Sequence, residues 1–198
     1  MPDVSAIVTA AGESTRMGTL KPLLGWHGVT LIEYMTASLF NAGVTEVVVV
    51  LGHKHDLVEP YVHGNGVSHV VNRDYKLGRS TSIRTGISNL KKDPSGILLL
   101  GVDQPRSPEL IANIIDAHTS RGSLITSPRY EGRGGHPLVF SSEFRKDLMC
   151  VSELKEGIRG IFRSHRNDVT ELVINDPSVC LDLNTPEDYL DAKRRYGG

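Results

Sequence analysis

Short apolar runs rich in β-branched residues punctuate the chain at 4–8, 47–51, 67–71, 97–102, 124–126 and 169–174. The stretches between them place apolar residues three and four positions apart, the spacing of one helical face. Strands that alternate with helices predict an α/β fold with a largely parallel central sheet.

Several helix ends are legible as well. Thr30 precedes an apolar-periodic stretch at 31–41 with Glu33 in the capping-box position, and Gly43 follows as a stop. Ser107 and Pro108 open a helix predicted over 109–119, and Thr185-Pro186-Glu187-Asp188 repeats that cap-then-proline order before the last helix. On this reading Asn184 and Thr185 are capping residues. Between 132 and 139 the rhythm gives way to a glycine-rich loop and a short strand, with helices predicted over 141–150 and 154–165. This interruption reads as loops of a substrate site. With no internal repeat, low-complexity tract or linker, a single domain over 1–198 is expected.

Composition narrows the partners. The 22 Lys and Arg residues against 23 Asp and Glu give a net charge of −1, so no global field draws the chain to nucleic acid or an anionic membrane. Any anion site must be local. The longest apolar runs are far too short to span a bilayer, and no basic segment followed by a long apolar stretch opens the chain. A cytoplasmic protein is therefore expected. Cys150 and Cys180 lack C-x-x-C or zinc spacing and read as reduced, buried thiols.

The chemistry begins at the end of the first strand, where Thr9-Ala10-Ala11-Gly12-Glu13-Ser14-Thr15-Arg16-Met17-Gly18 leads to Lys21-Pro22. A small-residue loop after a strand offers backbone N–H groups to phosphate, and Arg16 and Lys21 bring positive charge. A P-loop would need Lys directly after its last glycine, and Thr19 and Leu20 intervene; the G-x-G-x-x-G dinucleotide fingerprint is absent too. Further along, the buried run 98–102 ends in Asp103-Gln104-Pro105. A carboxylate at the carboxyl end of a central parallel strand faces the ligand crevice, which makes Asp103 a candidate Mg²⁺ ligand, or alternatively a turn cap.

These segments resemble the molybdenum cofactor (molybdopterin) cytidylyltransferase-like nucleotidyltransferases, over a span from Thr9 to Asp188. The T-A-A-G of residues 9–12 is similar to the cytidylyl branch, where the guanylyl branch reads L-A-G-G. The resemblance implies a Rossmann-like three-layer fold and Mg²⁺-dependent transfer of a cytidylyl group from CTP to molybdopterin, with pyrophosphate released. It implies that Ala10, Ala11, Gly12, Glu13, Ser14, Arg16, Gly18 and Lys21 hold the nucleotide, and that Lys21, Arg16 and Asp103 carry the catalysis. Ser80 and Ser82, in a stretch similar to the family's N-x-x-x-x-x-G-x-S-x-S, are implied at the base and ribose; their alternative reading is a loop with a serine cap. Asp182, in a segment similar to D-x-D-T-P-E-D, is implied as a second metal ligand beside Asp103, with Asn184 at the motif's second position as the alternative. The Gly132-Arg133-Gly134-Gly135-His136-Pro137 loop resembles the family's G-H-P motif and implies acceptor contacts from Arg133, Gly135 and His136. A molybdoenzyme or its maturation chaperone is the implied macromolecular partner. Use of GTP, a sugar or polyol phosphate acceptor, nucleotide binding without turnover, and a dinucleotide-dependent oxidoreductase are the competing readings.

Overall fold

The computed structural model describes residues 3–91 and 93–197. In chain order its strands are β1 (Val4–Ala10), β2 (Gly25–Trp26), β3 (Val29–Thr30), β4 (Glu46–Leu51), β5 (Val67–Val71), β6 (Gly96–Gly101), β7 (Ile125–Tyr130), β8 (Arg133–Gly134), β9 (Leu138–Ser141) and β10 (Val169–Val173). The α-helices are α1 (Leu31–Asn41), α2 (His55–Val58), α3 (Arg79–Ser88), α4 (Pro108–Ser120), α5 (Arg145–Met149), α6 (Ile158–Ser164) and α7 (Pro186–Tyr196). The central sheet runs β10-β7-β9-β6-β1-β4-β5, with β8 paired to β7 and a separate β2–β3 hairpin. β1 lies parallel to both β4 and β6, while β9 runs antiparallel between β6 and β7.

Successive side chains on a strand point to opposite faces, and here that alternation divides the interior in two. Val4, Ala6, Val8, Leu98 and Leu100 join one apolar cluster with residues of α1, α4 and α7. Ile7, Ile97 and Leu99 join the other with residues of α3, α5 and α6. β4 splits the same way, Val47 and Val49 to the first cluster and Val48 and Val50 to the second. Because the strand is apolar at both parities, it belongs in the middle of three layers. The helix over 31–41 is present with its Thr30–Glu33 capping box, and α7 has the same device from Thr185 and Asp188.

Four readings change. The helix predicted over 154–165 begins only at Ile158, because Glu156 and Gly157 both adopt positive φ (61° and 58°) and break the helical path. The helix predicted over 141–150 is a 3-10 turn at Ser142–Phe144 followed by α5. The stretch containing Ser80 and Ser82 is the start of α3, not loop. α3 packs so tightly on the sheet that a Cβ added at Gly86 would stand 2.4 Å from the Ile7 side chain. The thiols are not buried as expected either: Cys150 is exposed and Cys180 half-buried, both unpaired.

Candidate active site

From β1 the chain winds outward through β4 to β5, then returns to place β6 on the other side of β1. Ligands of open parallel sheets bind at such a switch point, beyond the carboxyl ends of the two strands. An open cavity of about 310 Å³ lies there, lined from β1 and its loop by Ala10, Ala11, Gly12, Ser14 and Arg16, and from β6 by Val102 and Asp103. Lys21, Arg79, Ser82 and Asn184 add charged and polar groups to its wall.

The loop is shaped by Ser14, which takes a positive φ of 54° and accepts the N–H groups of Met17 and Gly18 on its carbonyl. Its hydroxyl accepts from the Lys21 backbone N–H at 3.4 Å, at the head of a 3-10 turn over Lys21–Leu23. That turn aims Lys21 across the cavity: Nζ donates to Asp103 Oδ2 at 2.9 Å and to Asn184 Oδ1 at 3.3 Å. Arg16 Nη2 donates to the same Asn184 oxygen at 3.4 Å. The Asp103 carbonyl accepts the Leu183 N–H at 2.8 Å, which brings the segment carrying Asn184 onto the strand end.

Asn184 is thus no cap. Thr185 caps α7, and the Asn184 side chain reaches the cluster instead. Asp182 is exposed and stands outside the cavity wall, where its Oδ1 accepts from Gln104 Nε2 at 2.8 Å. The oxygens gathered around Lys21 therefore come from Asp103 and Asn184. A carboxylate and an amide oxygen are hard donors of the kind Mg²⁺ or Mn²⁺ accepts, with the remaining positions left to substrate phosphates and water. Glu13 lies outside the wall in an ion pair with Lys76 at 3.6 Å, and Gly18 forms the turn behind the loop.

Buried Asn72 fixes the opposite wall, donating to Thr81 Oγ1 and Ser82 Oγ at 2.8 and 2.9 Å. Ser82 reaches the cavity, whereas Ser80 is buried beside it with an unpartnered hydroxyl. α3 has no side-chain cap of its own, and Glu153 Oε1 accepts the Ser80 N–H at 2.7 Å in that role.

The segment predicted to meet an acceptor is organised by one buried cation. Arg106 is 2 % exposed and donates from Nε to the His136 carbonyl, from Nη1 to Pro105 and Leu181, and from Nη2 to Val179, at 2.8–2.9 Å. Burial lowers its pKa to about 10, partly offset by Asp182, so it stays charged at neutral pH. His136 also donates its backbone N–H to Val179. Its imidazole is pushed down to about 3, chiefly by burial and then by the charges of Arg79 and Arg106. It is a neutral ring, with Nδ1 buried and unpartnered. Gly135 is packed so closely that an added Cβ would fall 2.5 Å from the Val179 carbonyl oxygen. Arg133 is exposed on β8. None of Arg133, Gly135 and His136 lines the cavity, although His136 is close enough to Asp103 and Arg79 to feel both charges.

The sequence does not single out Arg79 or Arg106, and its capping pattern favours a cap at Asn184 over the side-chain contact observed. Arg79 falls between the glycine and the first serine of the N-x-x-x-x-x-G-x-S-x-S stretch and Arg106 directly follows Asp103-Gln104-Pro105, which is the signal the sequence offers for them.

The MobA-like NTP transferase domain family matches residues 6–169. The molybdenum cofactor cytidylyltransferase of Escherichia coli (strain K12) is 26 % identical over 202 residues, covering 99 % of this chain and 98 % of that protein. Nicotine blue oxidoreductase of Paenarthrobacter nicotinovorans is 29 % identical over 195 residues, with coverages of 94 % and 95 %. Among solved structures, Rv0371c from Mycobacterium tuberculosis H37Rv superposes with a TM-score of 0.83 at 27 % identity, covering 98 % of each chain, and has also been solved in complex with manganese (TM-score 0.78, 27 % identity, 96 % and 97 % covered). With a family match over most of its length, a three-layer fold shared with its relatives and a charged cavity at the switch point, the chain belongs to the MobA-like NTP transferases and is a nucleotidyltransferase enzyme.

Proposed function

We propose that this nucleotidyltransferase moves a cytidylyl group from CTP to the terminal phosphate of molybdopterin, releasing pyrophosphate. The observation that carries the reading is the Lys21–Asp103–Asn184 cluster beyond the β1 loop, where a carboxylate and an amide oxygen converge within 3.3 Å of one ammonium. The T-A-A-G at residues 9–12 and the full-length likeness to a cytidylyltransferase support CTP and the pterin acceptor. The backbone of residues 10–18 would hold the nucleotide, with Arg16 and Lys21 facing its phosphates. Asp103 and Asn184 would hold Mg²⁺, with Asp182 supporting from behind through Gln104. A bound divalent cation supplies charge neutralisation on the phosphate oxygens; a relative has been solved in complex with manganese, a cation that takes oxygen donors of this type.

The acceptor phosphate is already an anion, so attack at the α-phosphorus needs no strong general base. Catalysis by these residues then consists of alignment and of charge placed where the leaving pyrophosphate develops its own. Neutral His136 would meet the acceptor by hydrogen bonding. Asp103 carries the cation and is not asked to abstract a proton.

Pyrophosphate release, measured with each of the four nucleoside triphosphates and purified molybdenum cofactor, tests the proposal. CTP is expected to exceed GTP in kcat/KM by at least about tenfold, the gain of one or two base-specific hydrogen bonds. Equal use of both, or a GTP preference, sinks the cytidylyl reading. Redox turnover with no pyrophosphate released would move the chain toward the oxidoreductase chemistry named for its Paenarthrobacter relative.

A further inference from the structure

Three cations line the cavity, Arg16, Lys21 and Arg79, against one carboxylate, Asp103. Lys21 is paired with Asp103, and Arg16 donates to Asn184. The Arg79 side chain makes no hydrogen bond or ion pair among the described residues. An arginine placed in a ligand cavity with its five donors unspent is an anion receptor by default.

Its place is set by backbone and not by a flexible tether alone. Arg79 is the first residue of α3, and the close packing of that helix at Gly86 fixes where the side chain starts. The guanidinium Nη2 lies 3.4 Å from the point where a Cβ on Gly101 would stand, so it sits over the end of β6 beside Asp103. Its charge also reaches the His136 ring. Arg79 therefore stands where the nucleotide wall meets the glycine-rich loop. The other cations of that region are less suited: Arg106 is consumed by four carbonyls, and Arg133 is outside the wall.

We propose that Arg79 binds the attacking phosphate of the acceptor and makes the site select a phosphorylated acceptor over the same molecule without its phosphate. This rests on the nucleotidyl-transfer reading above, and it moves the acceptor's anion contact from Arg133 to Arg79. A planar fork holds two phosphate oxygens and leaves the third to attack. In the step, that oxygen forms a bond to the α-phosphorus of the nucleotide while the bond from the α-phosphorus to the bridging oxygen breaks. The bonding pair leaves with pyrophosphate, and no proton is transferred because the attacking oxygen is already ionised. A cation at this point also offsets the repulsion between two polyanions brought into one cavity.

The test uses the full-length protein, wild type and Arg79→Ala, Arg79→Lys and Arg133→Ala, each checked for its fold by circular dichroism. In one arm inorganic phosphate is titrated calorimetrically into protein saturated with a non-hydrolysable CTP analogue. Arg79→Ala should weaken phosphate binding at least tenfold, Arg79→Lys should recover part of it, and Arg133→Ala should shift it less than Arg79→Ala does. In the second arm the wild type and Arg79→Ala bind molybdopterin with and without its phosphate. The wild type should favour the phosphorylated form by at least tenfold and Arg79→Ala should erase that preference. Equal phosphate binding by wild type and Arg79→Ala overturns the proposal, as does loss of the CTP analogue by Arg79→Ala, which would assign the residue to the triphosphate. If the first arm succeeds and the wild type binds neither pterin, the pterin reading falls and the role of Arg79 stands.

Discussion

The two halves of the crevice are built by opposite means. On the nucleotide side, Lys21, Arg16, Asp103 and Asn184 meet in a partly open cluster, with the Asp103 side chain 30 % exposed. Their charges are free to be exchanged for those of a substrate. On the side of the glycine-rich loop, Arg106 is sealed among four carbonyls and His136 is a half-buried neutral ring. Charge there is spent on holding segments together, so the Pro105, His136 and Val179–Leu181 backbones keep one arrangement. A site that must stabilise moving charge needs exposed, weakly committed ions, whereas a site that must present a fixed surface does better with satisfied polar groups.

This contrast has measurable consequences. The largest should come from Asp103→Ala, which removes the cavity's carboxylate: turnover should fall by about three orders of magnitude, roughly 4 kcal/mol, with the circular dichroism spectrum unchanged. A folded variant that keeps most of its activity would reduce Asp103 to a turn residue.

Arg106→Met should do the reverse, costing about 3 kcal/mol of stability because buried carbonyls lose their donors. For a chain of this size that is a drop in Tm of about 6–12 °C, read by thermal denaturation. A variant with unchanged Tm would show that the loop segments do not depend on this hub.

Lys21→Ala should lower kcat about 100-fold while CTP affinity changes by less than about tenfold, since its charge is worth most where phosphate charge shifts. His136→Ala should instead raise KM for the acceptor about tenfold and leave CTP binding nearly untouched. Single-turnover kinetics with CTP titrated against both variants separates the two. Loss of CTP binding in His136→Ala would merge the halves into one site.

The smallest effect is one of pH. Burial pushes His118 down to about 4 while its Nδ1 bonds Thr126 Oγ1 at 2.8 Å, and in an unfolded chain the ring titrates near 6.5. The unfolded state then binds the extra proton, so this contribution is complete above about pH 6.5 and is lost as pH falls toward 4. By pH 5.5 the loss amounts to roughly 1 kcal/mol, which urea denaturation at pH 7 and 5.5 should detect and His118→Gln should abolish. His136 adds acid sensitivity of the same sign, and because it is neutral the acceptor KM should show no step from it between pH 5.5 and 8. A step near pH 6.5 that His136→Ala removes would mean the ring titrates in the open.

Much of this molecule is written locally. Apolar runs of both parities specified buried strands, the Thr30–Glu33 and Thr185–Asp188 pairs fixed two helix starts, and the small-residue loop with Lys21 pointed to phosphate, because each depends on neighbours a few residues away. The break at Glu156 and Gly157 and the helix beginning at Arg79 were harder to read. Glycine permits either a turn or a tight approach, and only the packing of Gly86 on Ile7 and Glu153 on Ser80 decides between them. The partners of the charged groups belong wholly to the tertiary structure. Asn184 meets Lys21 across 163 positions of chain, and Arg106 reaches His136 across 30 and Leu181 across 75. A residue's type tells what bond it can make, but which of several asparagines, aspartates and arginines makes it depends on strands that meet only when the sheet has formed.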